Sequence, residues 1–238
     1  MKDFIKGENL MALYAISDLH LAFNVDKPMD IFGDRWLNHD EKIKKNWESK
    51  INEEDTVLIA GDISWSMRAE DSKYDLDWID SLPGKKIISK GNHDYWWQGI
   101  NKLNNMYENT KFIQNNFYTY EDYAICGTRG WTLPGSDKFT QHDRKIYDRE
   151  LIRLRLSLDM AKNAGYSKFI VMVHYPPTNE SYDETEFTKV FKEYGVEKVI
   201  YGHLHGPSNF KIKNDIVDGV EYINTSCDFI NFDPIRLI

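Results

Sequence analysis

The sequence predicts one α/β domain with more than one β-sheet, on the basis of two alternating patterns. Short runs of β-branched, aromatic and leucine residues alternate with segments that have helical periodicity. Runs of this kind are typical of strands buried on both faces. They occur at 13–16, 57–60, 87–88, 169–173 and 199–201. The segments 112–113, 117–120 and 123–127 predict a meander, so antiparallel strands are expected as well.

Three segments between these runs predict helices. The clearest begins near His142, where one apolar stripe recurs at steps of four and three residues. The stripe consists of Tyr147, Leu151, Leu154, Leu158 and Ala161. Gly165 follows as a C-cap, and two shorter helices are expected at 40–51 and 71–82. Further short extended segments are expected within 210–238.

The length and composition fit one globular domain. A chain of 238 residues can bury a substantial core, and we expect residues 11–238 to form that domain after an N-terminal extension at 1–10. Cys126 and Cys227 are too few for a disulfide framework and suit a reducing compartment. Residues 1–10 lack the apolar run of a signal peptide, and no stretch is long enough to span a membrane. We therefore expect a cytoplasmic protein without a membrane partner.

The net charge of −8 argues against an overall basic surface for nucleic acid or anionic membranes. It does not exclude an anionic substrate, because bound metal ions add local positive charge that a count of side chains omits. The charge therefore leaves the substrate class open. The candidate metal ligands are more informative about the function.

Side chains that can bind a metal or transfer a proton follow all five buried runs. In chain order they are Asp18 and His20, then Asp62, then Asn92, His93 and Asp94, then His174, and finally His203 and His205. Ligands bind at the carboxyl ends of strands in open α/β sheets, so these side chains are expected to surround one site. Residues two apart on an extended segment point the same way, so Asp18 and His20 can face one ion.

The donor types indicate two metal ions. Carboxylate, imidazole and amide groups are present, and no thiolate occurs in any cluster. Seven candidate ligands exceed the need of one ordinary site and suit two ions about 3.5–4 Å apart that share a carboxylate. Imidazole suits zinc and iron, whereas carboxylate suits manganese. The expected cofactors are therefore two transition-metal ions, drawn from Mn²⁺, Fe²⁺/Fe³⁺ and Zn²⁺.

Taken in order, the clusters resemble the signature of the calcineurin-like metallophosphoesterase superfamily. They are Asp18-Leu19-His20, Gly61-Asp62, Gly91-Asn92-His93-Asp94, His174 and Gly202-His203-Leu204-His205. Each motif alone is a weak signal, but all five are intact and span residues 18–205 in the expected order. The resemblance implies two packed mixed β-sheets flanked by helices, which is a four-layer α/β/β/α sandwich.

The resemblance also implies a role for each matching residue. The implied ligands are Asp18, His20 and His205 for a first ion, Asn92, His174 and His203 for a second, and Asp62 as the bridge. The implied activity is hydrolysis of phosphoester bonds by a metal-bridging hydroxide. His93 would protonate the leaving oxygen or stabilise the transition state, and Asp94 would orient and charge-stabilise His93.

Arg129 is a candidate substrate-binding residue outside the motifs. It follows the predicted strand that ends at Gly127 and precedes Trp131. A guanidinium suits phosphate, and an ion pair to a substrate would explain an arginine at this position. A surface arginine beside a packed tryptophan explains it equally well, so the sequence supports both interpretations.

Several substrate classes are compatible with these motifs. The chain is little longer than the motif-bearing region, which favours a small phosphorylated substrate and leaves monoester and diester bonds both open. A nuclease of the same superfamily is the main alternative and would need a basic or aromatic groove. A lipid-linked substrate would need an apolar insertion or a basic amphipathic helix. A non-catalytic scaffold is disfavoured because no ligand is missing.

Overall fold

The computed structural model describes residues 11–135, 138–207 and 214–238. Within these ranges the chain forms two β-sheets and five α-helices. The strands are β1 (Leu13–Ile16), β2 (Thr56–Ile59), β3 (Lys85–Ser89), β4 (Thr110–Ile113), β5 (Tyr118–Tyr120), β6 (Tyr123–Thr128), β7 (Lys168–Val173), β8 (Val196–Tyr201), β9 (Asp215–Val217), β10 (Val220–Asn224) and β11 (Ile235–Arg236). The helices are α1 (His39–Glu48), α2 (Ala69–Ser81), α3 (Ile100–Asn104), α4 (Gln141–Asn163) and α5 (Glu186–Tyr194).

Each sheet combines parallel strands with at least one antiparallel edge strand. The first sheet has the strand order β11-β1-β2-β3-β4, in which β1 to β4 are parallel and β11 is antiparallel to β1. The second has the order β5-β6-β7-β8-β10-β9, in which only the edge strands β5 and β9 are antiparallel to their neighbours. The parallel strands therefore present their carboxyl ends along one edge of each sheet.

The sheets pack face to face, and helices cover their outer faces. Leu58 of β2 and Met172 of β7 belong to one apolar cluster that fills the space between the sheets. Trp47 of α1 packs in a second cluster on the outer face of the first sheet. Leu154 of α4 and Phe191 of α5 pack in a third cluster on the outer face of the second sheet. These layers confirm the predicted α/β/β/α sandwich.

The long helix α4 illustrates how the sequence defines element ends. Thr140 accepts a hydrogen bond from the backbone N–H of Asp143, and the Asp143 carboxylate accepts one from the backbone N–H of Thr140. This reciprocal capping box satisfies amides that a helix start leaves unpaired. The apolar stripe that the sequence predicted for α4 packs against the second sheet.

The predicted meander is wrong in one respect. β5 and β6 form the expected hairpin, but β4 pairs with β3 in the parallel direction and belongs to the first sheet. The chain therefore crosses from one sheet to the other between Ile113 and Tyr118. The sequence pattern of β4, β5 and β6 is the same whether or not β4 pairs with β5. Tertiary packing, and not local sequence, sets which strands pair.

Two of the sequence-based predictions fall wholly or partly outside the described residues. The proposed extension at 1–10 lies outside them, as do residues 210–213 of the predicted C-terminal extended segments. The remainder of those segments forms β9, β10 and β11. Within the described ranges, no helix combines the length and apolar character needed to cross a bilayer.

Candidate metal centre

The candidate ligands meet where the carboxyl ends of the strands of both sheets lie together. Ser17 donates its backbone N–H to the carbonyl oxygen of Thr225 at 2.8 Å, and its own carbonyl oxygen accepts the N–H of Cys227 at 3.0 Å. The backbone N–H of His203 lies 3.0 Å from the carboxylate oxygens of Asp18. These bonds join the loop after β1 to the loops after β8 and β10, so they hold the two sheets together at the site.

Asp18, His20 and His205 form the first group of convergent ligand atoms. The Nε2 atoms of His20 and His205 lie 3.2 Å apart, and Nε2 of His205 lies 3.3 Å from Oδ1 of Asp18. Two ring nitrogens and a carboxylate oxygen therefore face one point. Asp18 and His20 are buried, whereas His205 is partly exposed. A cation at this point would satisfy lone pairs that otherwise face one another.

Asn92, His174 and His203 converge in the same way at a second point. Oδ1 of Asn92 lies 2.7 Å from Nε2 of His174 and 2.8 Å from Nδ1 of His203. The carboxylate of Asp62 groups with these two histidines as well. Its Oδ2 lies 3.3 Å from Nε2 of His174 and 3.8 Å from Nε2 of His20. Asp62 therefore lies between the two groups, as a shared carboxylate would.

The structure thus brings together all seven side chains that the sequence nominated as ligands. Their donor types fit transition-metal ions, because imidazole, carboxylate and amide groups converge without a thiolate. The assignment of individual residues to one ion or the other stays a prediction. So does the choice among Mn²⁺, Fe²⁺/Fe³⁺ and Zn²⁺.

Four of these residues have an unusual backbone conformation. The φ angles are +59° at Asp18, +46° at His20, +53° at Asp62 and +72° at His203. L-residues rarely adopt this left-handed region, although aspartate and histidine do so more readily than most, and residues in such sparsely populated regions cluster at active sites. Four of the seven candidate ligands therefore share this uncommon backbone conformation in addition to their metal-binding chemistry.

Two glycines allow the loops to approach closely. A Cβ atom on Gly91 would overlap the backbone nitrogen and carboxylate of Asp62, and one on Gly202 would overlap the carboxylate of Asp18. Any larger residue at either position would push a ligand away from the centre. The glycines of the motifs therefore serve close packing of the ligand loops.

An outer layer of hydrogen bonds orients the histidines. Nδ1 of His174 lies 3.0 Å from the carbonyl oxygen of Ala60, and Nδ1 of His205 lies 3.0 Å from Oδ1 of Asp228. In both rings the Nε2 atom is left facing the centre. Such partners fix the tautomer and orientation of metal-binding imidazoles.

The electrostatic environment couples the carboxylates to the histidines. Burial alone would raise the pKa of Asp18, but the hydrogen bond and positive charge of His205 and the charge of His174 hold it at about 2. Burial opposes the charged form of His174, but the carboxylates of Asp62 and Asp18 raise its pKa to about 9. Cations are therefore strongly favoured beside these carboxylates. Because metal binding requires neutral imidazole, it would displace these protons.

His93 lies beside the first group but outside it. Its ring is half-buried, with its centroid 5.7 Å from the ring of His20 and 4.3 Å from that of Trp65. Its backbone N–H donates to Oδ1 of Asp62 at 2.8 Å, which fixes the position of the residue. Burial lowers the pKa of His93.

Asp94 makes contacts that the sequence did not indicate. Its carboxylate accepts hydrogen bonds from the backbone N–H groups of Gly91 at 2.7 Å, Ile63 at 2.9 Å and Asp62 at 3.0 Å, and from the indole of Trp96 at 3.0 Å. Burial and the charge of Asp62 raise its pKa to about 6. Asp94 therefore ties the loop after β2 to the loop after β3. The role of Asp94 in orienting His93 stays a prediction.

Arg129 lies in a cluster of charges behind the second group. Its guanidinium carbon lies 4.5 Å from the ring centre of Trp131, and Nη2 lies 3.8 Å from Oε1 of the buried Glu150. Glu150 also accepts hydrogen bonds from Thr128 at 2.7 Å and Arg153 at 2.9 Å. These contacts favour the packed-arginine interpretation, and a substrate contact stays a prediction.

Asp228 is the site residue that sequence reasoning missed. It lies 23 residues beyond His205, in a segment whose Asn, Asp and Gly residues resemble turns. Its second oxygen accepts the backbone N–H of Gly206 at 3.0 Å. Only the pairing of β10 beside β8 brings it near the motif histidine, so a single sequence carries no local signal for it.

The sequence and the fold are similar to those of known proteins. The family model described as calcineurin-like phosphoesterase matches residues 11–207. The gene 66 protein of Mycobacterium phage L5 is 24% identical over 191 residues, which are 80% of this chain and 76% of that protein. The phosphopantetheinyl hydrolase PptH of Mycobacterium tuberculosis has a similar fold, with a TM-score of 0.61, 15% identity and 95% of each chain covered. The protein TT1561 of Thermus thermophilus gives a TM-score of 0.61 at 10% identity, covering 95% of this chain and 97% of that one. On the match of the family model, which covers all five motifs, the chain belongs to the calcineurin-like phosphoesterase family.

Proposed function

We propose that this chain is a binuclear metal-dependent hydrolase of phosphoester bonds. The observation that carries the proposal is the position of Asp62 between two groups of ligand atoms. A shared carboxylate lets two ions lie close enough to act on the same phosphoryl group. The family match supports the same class of reaction.

The chemistry divides between the ions and the side chains. Two bound ions would polarise a phosphoryl oxygen and provide hydroxide from water at neutral pH. Asp18 and Asp62 supply negative charge that offsets the ions, and Asn92 supplies a neutral oxygen. We expect Mn²⁺, Fe²⁺/Fe³⁺ or Zn²⁺, since all three accept mixed oxygen and imidazole ligands.

His93 is the candidate proton donor to the leaving oxygen. It is held by its backbone bond to Asp62, and its ring lies beside the first ligand group without belonging to it. A group so placed would be available to protonate an ester oxygen of a phosphate held at the ligand groups. Stabilisation of the transition state by a charged imidazole is the other role open to it.

The substrate is expected to be a small phosphorylated compound. The residues that line the cleft beside His203 include Glu180, Asp183 and Glu184. A nucleic acid strand carries a charge on every phosphate and would be repelled by these carboxylates. This arrangement disfavours the nuclease alternative.

The test is hydrolysis of 4-nitrophenyl phosphate and bis(4-nitrophenyl) phosphate after chelation and again after Mn²⁺ is added back. We expect turnover of at least one compound to disappear with chelation and to return with metal. Elemental analysis of the same samples measures how many ions are bound. Two bound ions without turnover of any phosphoester would contradict the proposal and favour the non-catalytic scaffold.

A further inference from the structure

Two cavities of different chemistry flank the ligand groups. The first, here called the aromatic pocket, is walled by Met29, Phe32, Trp36 and Trp65 and has a volume of about 380 Å³. His20 and His205 of the first ligand group line its inner end. The ring of Trp65 stacks on His20, with centroids 4.8 Å apart and planes inclined by 23°. A planar ring in this pocket would meet aromatic faces and edges.

The second cavity, here called the acidic cleft, lies on the side of the second ligand group. It has a volume of about 750 Å³ and is lined by Trp131, Tyr175, Asn179, Asp183, Glu184 and His203, among others. Tyr175 packs on His203 with ring centroids 4.2 Å apart. Among the described residues that line it, the charged side chains are the carboxylates of Glu180, Asp183 and Glu184, and Glu184 also pairs with Lys189 and Lys192 outside the cleft. The cleft therefore suits an organic group of a substrate that is cationic or rich in hydrogen-bond donors.

The two cavities share the metal centre as their common boundary. A phosphate bound across both ligand groups would face the aromatic pocket on the side of His205 and the acidic cleft on the side of His203. A monoester has one organic arm and would leave one cavity empty. A diester has two arms and can fill both.

We propose that the substrate is a phosphodiester with an aromatic ring on one arm and an uncharged or cationic polar group on the other. This inference rests on the proposed function, and it names the substrate class of the same site. The aromatic arm would occupy the aromatic pocket, and the polar arm would occupy the acidic cleft.

The position of His93 identifies the arm that leaves. His93 lines the aromatic pocket and does not line the acidic cleft. An oxygen from water forms a new bond to phosphorus, and the bond from phosphorus to the oxygen of the aromatic arm breaks. The oxygen of the aromatic arm keeps the electron pair and takes a proton from His93. The proton released by water passes to solvent, and His93 regains a proton from solvent. The products are an aromatic alcohol and a phosphomonoester that carries the polar arm.

Binding of analogues tests the arms without turnover. A phosphinate joins both arms to phosphorus through carbon, so it cannot be hydrolysed and keeps one negative charge, as a diester does. The probes are benzyl(3-aminopropyl)phosphinate, the corresponding cyclohexylmethyl and 2-carboxyethyl compounds, and benzyl(methyl)phosphinate. Titration calorimetry with the metal-loaded protein should show the first binding about 10-fold more tightly than each of the others.

Variants assign each preference to its cavity. Phe32 is 63% exposed, so Phe32→Ala should leave the fold intact while it removes most of the preference for benzyl over cyclohexylmethyl. Ile31→Ala is the matched control, because the side chain of Ile31, next to Phe32 in the sequence, is 71% exposed and does not line the pocket. Asp183→Asn should reduce the preference for the amino over the carboxyl arm, and Glu186→Gln, which lies outside the cleft, should not.

Turnover provides the second measurement. The kcat/KM for an aryl phosphodiester with an aminoalkyl arm should exceed that for the aryl monoester by about 10-fold or more, as expected when a second arm contributes binding. Equal or faster hydrolysis of the monoester would overturn the inference and leave the proposed function standing. Equal affinity for all four phosphinates would also overturn it. Absence of any phosphoester turnover with two ions bound would contradict the proposed function itself.

Discussion

The carboxylate of Asp228 holds the ring of His205 through a contact of 3.0 Å between Oδ1 and Nδ1. The opposite ring nitrogen, Nε2, then points at Oδ1 of Asp18, 3.3 Å away. Asp228 therefore sets which nitrogen of His205 is offered to a cation. The two residues come from different loops of the second sheet, so the orientation of the ring depends on the fold around it.

Asp228→Asn should weaken metal binding at the first ligand group. The amide cannot supply the negative charge that stabilises the imidazole, and loss of such an outer partner typically costs about 10–100-fold in metal affinity. Competition with a chromogenic chelator measures the affinity. Asp233→Asn is the control, because that carboxylate pairs with Lys50 away from the site. Unchanged affinity in Asp228→Asn would show that the contact does not tune the ligand.

Asp62→Asn should impair both ions together. The carboxylate of Asp62 faces both ligand groups, so its neutralisation removes charge from each. We expect a loss of affinity larger than the about 10–100-fold that removal of an outer partner causes. Elemental analysis after dialysis measures the content of both ions. Retention of two ions with full activity would exclude the bridging role.

His93→Ala should separate catalysis from metal binding. His93 belongs to neither ligand group, so the metal content should stay near that of the wild type. The kcat should fall about 10²–10⁴-fold, which is the typical contribution of general acid–base catalysis. The kcat for esters with good leaving groups should fall less, because their leaving oxygen needs less protonation. His142→Ala, an exposed histidine at the start of α4, serves as the control. Equal losses for good and poor leaving groups would count against proton donation.

Asp94→Asn should disturb the ligand loops as well as catalysis. The wild-type carboxylate accepts four backbone N–H groups and one indole N–H, and an amide would turn its own donors toward some of them. The expected cost is about 1–3 kcal/mol of unfolding free energy, together with reduced metal content. Urea denaturation and elemental analysis measure the two effects. Full stability and metal content with a reduced kcat would instead support a role confined to orienting His93.

Asp75 should make the protein less stable as the pH rises. Burial raises its pKa despite hydrogen bonds from Ser64 and the backbone N–H of Phe23. The folded state then holds the proton more tightly than the unfolded chain, so stability falls as the pH rises from about 4 through the raised pKa. Asp75→Asn should remove this part of the decline.

Asp77 on the same helix is a control whose effect on stability should have the opposite dependence on pH. Burial opposes ionisation there, but hydrogen bonds from Lys73 and Tyr107 and the positive charge of Lys73 together lower its pKa. Its contribution to stability is present above the ordinary pKa of an aspartate and is lost as the pH falls. Urea unfolding of the chelated protein at pH values from about 4 to about 7 compares both asparagine variants with the wild type. If the free energy of unfolding of Asp75→Asn and of the wild type changed with pH in the same way, the raised pKa of Asp75 would be refuted.

The sequence was most informative where local pattern and chemistry coincide. The run before Asp18 and the run before His174 each form a buried strand, and both side chains lie at the site, because strand burial and strand-end chemistry are local properties. The long helix α4 was equally clear from its apolar stripe. Such features depend on residues close in sequence.

Features that depend on tertiary pairing were not predictable. The assignment of β4 to the first sheet follows from its parallel register with β3, and no residue of the segment encodes that choice alone. Asp228 reaches His205 only because β10 lies beside β8. The bonds of Asp94 to backbone amides were also hidden, because a sequence motif specifies a side chain and not which loop it will face.

Both ligand groups draw on both sheets. Asp18 and His20 follow β1 whereas His205 follows β8, and Asn92 follows β3 whereas His174 follows β7. A polypeptide cut between β4 and β5 would therefore separate each group into incomplete halves, and recovery of metal binding would report that the fragments had reassembled. Neither fragment alone carries a complete ligand group, so the metal affinity of the centre depends on the docking of one sheet against the other.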